Sequence, residues 1–161
     1  MDNYEKRNRY ALLMKKLDIA TKQNFYYESI FIEYAIFEER MDSLMRHGKM
    51  KKLQKLHFKI NAIKAADWFK DKEVQKYISN KTLDEIIEWK DKRNKLIHDL
   101  VNCTYGAEEI ESIAKAGEKL VKNFNSKSTA VNKYLDKKMS TIAEDSRFEN
   151  KFKYKKLKGN I

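Results

Sequence analysis

The absence of proline constrains this chain more than any other feature: 161 residues contain none, and only Gly48, Gly106, Gly117 and Gly159 interrupt them with glycine. Long stretches rich in Lys, Glu, Leu, Ile and Ala then favour helix, because nothing in them breaks the backbone hydrogen-bond ladder. The expected fold is all-α, a single domain long enough to bury one core.

Thirty-five Lys and Arg against 24 Asp and Glu leave a net charge of +11. That balance favours a polyanionic partner, nucleic acid ahead of an anionic membrane, with a merely solubilising lysine surface as the alternative. Cys103 is the only cysteine, so no internal disulfide can form. The residues from Met1 to Lys6 lack the apolar core of a signal peptide, and Glu28, Glu33 and Glu38 break the apolar runs that follow. A cytoplasmic protein with no membrane association is the expectation.

Helical periodicity divides the chain into an N-terminal helical extension over residues 1–21, a bundle over 22–140 and a basic tail over 141–161. A short helix is expected from Tyr4 to Leu17, then a long one ending at His47 and Gly48, with Tyr27, Ile30, Phe31, Tyr34, Met41 and Met45 at helical spacing. A lysine-rich helix should run from Met50 to Ala66, and a shorter one from Asp71 to Ile78. Thr82 and Glu85 have the spacing of a capping box, which starts a helix continuing to Asn102. From Ala107 an apolar stripe reaches Leu135, as one helix or as two with a kink near Ser126 to Ser128. Gly117 on that stripe implies close helix packing. The final segment carries Arg147, Lys151, Lys153, Lys155, Lys156 and Lys158 against Glu149, either a solvated, disordered charge run or an arm that contacts the RNA backbone.

Few residues can carry chemistry. His47, His57 and His98 lie far apart, and there is no paired His or Cys motif, phosphate-binding glycine loop or nucleophile elbow, so no metal and no cofactor is expected. His47 and His57 are expected at the surface, Cys103 as a small buried residue, Trp68 and Trp89 as packing anchors. The segment from Trp89 to Leu100 stands apart. With Leu83 set at zero and about 100° per residue, Ile86, Trp89, Ile97, Leu100 and Val101 define an apolar face near 300°, and Arg93 falls inside it at about 280°. Asn94 and His98 share the rim at about 20° and 60°. A guanidinium on an apolar face requires a carboxylate, a phosphate or a wet interface. Glu38, within the aromatic stripe of the long helix, is the candidate partner for Arg93 or orienter of His98.

The run Arg93-Asn94-x-x-x-His98, on the third core helix of a small bundle, resembles the Arg-polar-x3-His motif of HEPN domains. The resemblance implies an antiparallel four-helix bundle of HEPN type, with extra short helices and a basic C-terminal extension. It also implies a metal-independent endoribonuclease of the toxin or antiphage-defence kind. Cleavage proceeds by 2′-hydroxyl attack, with Arg93, His98 and Asn94 as the catalytic set and Glu38 and Asp99 in support. Lys90, Lys95, Lys153, Lys155 and Lys156 are the expected nucleic-acid contacts. The partners implied are RNA, a second copy of the chain, and an antitoxin or regulatory protein. Chemically the pairing is sensible, since RNA cleavage needs a base that titrates near neutral pH and a cation for the phosphorane. Five residues of helix turn Arg93 and His98 about 140° apart, a difficulty that a composite site shared across a dimer removes. HEPN toxins controlled by adenylylation carry a Tyr two positions after the motif His; Leu100 stands there, so that control is not expected. The rival reading is a non-catalytic HEPN-like scaffold that binds RNA or a partner protein.

Overall fold

Helices account for every regular element in the computed structural model, which describes residues 3–102 and 104–158, with side chains for residues 5, 8–100, 102, 104–138, 140 and 141. They are α1 (Asn3–Lys22), α2 (Tyr26–His47), α3 (Leu56–Ala65), α4 (Lys72–Tyr77), α5 (Asn80–His98) and α6 (Ala107–Lys158), with short 3-10 turns over Asp67–Lys70 and Leu100–Asn102. Cys103 lies outside the described residues, and Lys153, Lys155 and Lys156 lie beyond the described side chains. No strand occurs among the described residues.

The central element is α2, which receives α6 along much of its length and α1 and α3 on its flanks, while α5 packs on α6 and α3. Its buried face carries Ile30, Ile36, Phe37, Met41, Leu44 and Met45, each large side chain contributing about 1.5–3 kcal/mol by leaving water. The expected stripe therefore divides: Ile30, Met41 and Met45 are core, whereas Tyr27 and Phe31 are exposed. On α6 the buried positions Ile110, Ala114, Gly117, Val121, Phe124, Ser128, Val131 and Leu135 alternate in steps of four and three, the spacing of a seam between long helices. The chain resolves the kink question in favour of a single helix, with Ser128 and Thr129 hydroxyls both donating to the Asn125 carbonyl.

Close approach explains Gly117. A Cβ there would lie 2.0 Å from Glu33 Oε2 and 2.6 Å from Trp89 Nε1. Glu33 is fully buried and neither carboxyl oxygen has a hydrogen-bond partner.

Several boundaries differ from the sequence expectation. The segment read as an N-terminal extension joins the core, since Leu17 and Ala20 of α1 are buried. Both α1 and α2 end in Schellman motifs: the Phe25 N–H donates to the Ala20 carbonyl and the Met50 N–H to that of Met45, each at 2.8 Å. The left-handed residues there are Asn24, at φ 59°, and Lys49, at φ 55°. Gly48 is kept for a different reason, because a Cβ would meet Trp68 Nε1 at 2.4 Å. This motif turns the chain out of helix, so α3 starts at Leu56 rather than Met50. The cap of α5 is Ser79, whose Oγ accepts the Thr82 N–H, three residues ahead of the expected box.

Candidate functional site

Helix α5 presents the Arg93 segment. Its buried residues are Thr82, Leu83, Ile86, Trp89 and Leu96, and Trp89 fixes its rotation by donating from Nε1 to the Ile113 carbonyl of α6 at 3.0 Å. Because Leu96 rather than Ile97 is the fully buried residue of the last turns, the core face rotates and Arg93 stands at its edge. There the guanidinium lies over two rings of α2, with its central carbon 4.4 Å from the Tyr34 centroid and 5.4 Å from that of Phe31. Such cation–π contacts are worth about 0.5–2 kcal/mol, more as water is excluded. Arg93 Nη1 donates to Asn94 Oδ1 at 3.0 Å, and Nε is buried without a hydrogen-bond partner.

The expected pairing with Glu38 is not what the structure contains. Glu38 is held by the Lys59 ammonium of α3, which also reaches Asp42 at 2.8 Å. The Lys59 side chain is only 3% exposed, and a buried ammonium engages carboxylates before anything else. Burial pulls the Lys59 pKa down, but Asp42 and Glu38 outweigh it and hold the ammonium above its usual value. Tyr34 joins this seam to Arg93. Burial and then the Glu38 carboxylate raise its phenol pKa, while Arg93 and Lys59 act in the opposite direction.

His98 is the last residue of α5 and is exposed, with no hydrogen bond or ion pair to its imidazole among the described residues. Asp99 follows as the C-cap, its N–H donating to the Lys95 carbonyl at 2.9 Å and its own carbonyl accepting from Asn102 at 3.0 Å. Its carboxylate is not bonded to His98 and instead adds, after burial, to the upward shift of the Tyr105 phenol. Lys95 is exposed and unpaired. Lys90 is not the free cation the sequence suggested, since its side chain is 13% exposed and its ammonium lies 2.6 Å from Asp91. No contact joins Arg93 to His98 within the chain, in keeping with their angular separation on one helix.

Sequence reading missed the aromatic cradle of Arg93, because Phe31 and Tyr34 look like core positions on a stripe that includes Ile30 and Met41. Phe31 is in fact 49% exposed. A cleft of about 460 Å³ opens beside the start of α2, lined by Phe25, Tyr26, Tyr27, Ala107 and Ile110. The same stretch of chain that follows His98 leads into α6 and so brings Ala107 to this cleft.

Compared with protein-family models, with curated proteins and with solved structures, the chain has no match. Among the described residues, no group of three or more His, Cys, Asp or Glu side chains is placed to hold a metal ion. No helix among them is long and apolar enough to cross a membrane.

Proposed function

We propose that the chain is a metal-independent endoribonuclease of HEPN type, with α2, α3, α5 and α6 as its core helices and Arg93 and His98 acting at a two-fold interface. The observation that carries this reading is the state of Arg93: a guanidinium set on two aromatic rings, beside Asn94, with no carboxylate partner among the described residues. A cation held in that way suits a transient anion better than a permanent one. The exposed, unbonded His98 supplies the proton transfers.

In the reaction the ribose 2′-oxygen attacks the adjacent phosphorus and the bond to the 5′-oxygen breaks. One His98 imidazole takes the 2′-hydroxyl proton, and the imidazolium of the second copy gives a proton to the departing 5′-oxygen. Arg93 neutralises the pentacoordinate phosphorane. Products are a 2′,3′-cyclic phosphate and a 5′-hydroxyl. Incubation with mixed RNA in EDTA, followed by end-group analysis, should yield those ends. His98→Ala and Arg93→Ala should each slow cleavage about a hundredfold or more. Cleavage that requires magnesium, or that survives both substitutions, defeats the proposal. The separation of Arg93 from His98 within one chain favours the second reading, a non-catalytic scaffold that binds RNA or a partner protein, and wild type and His98→Ala that both bind RNA without cutting it would establish it.

A further inference from the structure

Between Ser43 and Ala66 the sequence holds seven cations and no acid. Three are engaged: Arg46 with Glu39, Lys59 with Glu38 and Asp42, Lys64 with Asp84. The other four, Lys49, Lys51, Lys52 and Lys55, fall within seven consecutive residues, are all exposed and have no ion-pair partner among the described residues. They lie on the irregular stretch between α2 and α3, whose course is fixed by Met50 and Leu53 packing on the core and by buried Leu56. Immediately after it stands Phe58, 54% exposed, with the Lys55 ammonium 5.9 Å from its ring centroid. Lys49 occupies a left-handed backbone conformation in which Gly or Asn is less strained.

We propose that residues 49–58 form a second RNA-binding surface, with the four lysines contacting phosphates of a single strand and Phe58 stacking on one of its bases. A charged strip beside an exposed ring is the combination that holds unpaired nucleic acid, because the ring needs a base face that duplex stacking hides. The surface is linked to the first site. Lys64 of α3 pairs with Asp84 near the start of α5, while Lys59 and Arg93 both act on the Tyr34 phenol. The C-terminal end of α3 thus meets the N-terminal end of α5, and Lys59 and Arg93 have Tyr34 of α2 as a common neighbour. The choice of RNA rests on the proposed function; the surface itself does not depend on catalysis.

Binding is tested separately from cleavage, in a His98→Ala background, by fluorescence anisotropy with a labelled single-stranded RNA over a range of salt. Replacing Lys49, Lys51, Lys52 and Lys55 together by Gln should weaken binding at least tenfold and flatten the logarithmic salt slope by about 3, at about 0.7 per lost phosphate contact. Phe58→Ala should cost about tenfold and Phe58→Tyr much less, and a duplex of the same sequence should compete poorly. Unchanged thermal melts show that these surface variants fold. An unaltered affinity and slope in the quadruple variant overturns the inference, as does a wild type that ignores RNA but binds phosphatidylglycerol vesicles. Absence of cleavage in the wild type would defeat the nuclease reading and leave this one standing.

Discussion

Glu33 shows how one side chain sets a pH dependence for the whole fold. Its carboxyl is buried against Gly117, and burial, then the charge of Glu118, pushes its pKa up to about 9. The folded chain thus keeps a proton that the unfolded chain releases above the ordinary carboxylate range. Stability from this group is fully present below about pH 4.5 and falls as pH rises towards 9, by up to ~1.4 kcal/mol per pH unit. Glu33→Gln removes the titration while keeping the shape. Chemical denaturation should show wild type losing stability from about pH 5 to pH 8 relative to the variant; parallel pH profiles would refute a neutral buried carboxyl. Gly117 was legible in the sequence as a point of close packing. Glu33 was not, because it reads as a polar break in an apolar run, although its place among Ile30, Ile36 and Phe37 on the wheel was the available signal. Arg93 was legible as an anomaly, yet its partners were not, since aromatic residues at helical spacing do not announce which will be left exposed.

Among the elements, α4 is short and depends on its cap. Asp71 accepts the Glu73 N–H at 3.0 Å and also holds Tyr134 and Lys138 of α6, at 2.7 and 2.6 Å. The bond from Lys138, then those from Tyr134 and the Glu73 amide, lower its pKa to about 2. A depressed carboxylate stabilises above the unfolded value and loses that contribution as pH falls from about 4 to about 2. Asp71→Ala should therefore lower the melting temperature at neutral pH and show a shallower loss on acidification, which calorimetry across that range would detect. Equal acid limbs would show that the cap and cross-link add nothing. All the helices were visible in apolar periodicity, whereas their ends were set by interactions of longer range or finer detail. Lys49 rather than Gly48 takes the left-handed turn, and Gly48 instead leaves the space that Trp68, twenty residues away, occupies.

At the scale of the whole molecule, the proposed function requires two copies. Light scattering at micromolar concentration should give about twice 19.3 kDa, and mixing His98→Ala with Arg93→Ala subunits should produce cleavage kinetics that neither homodimer shows. A species of monomer mass throughout would defeat the shared site. The all-helical class and a single shared core follow from the lack of proline and the apolar stripes. The inclusion of α1 in that core was hidden, because its charged residues mask Leu17 and Ala20. One further consequence follows from the order of the parts along the chain. The central helix α2 is made before α3, α4 and α5, but its main cover, α6, is made after them. At ribosomal speed the interval between His47 and Leu135 is on the order of ten seconds. During that time Phe37 lacks the Phe124 ring beside it, and the Arg93 segment lacks the α6 backbone that anchors Trp89. A nascent chain in this condition exposes apolar surface of the kind that chaperones cover, and the cleavage proposed above would be withheld from the ribosome until α6 is in place.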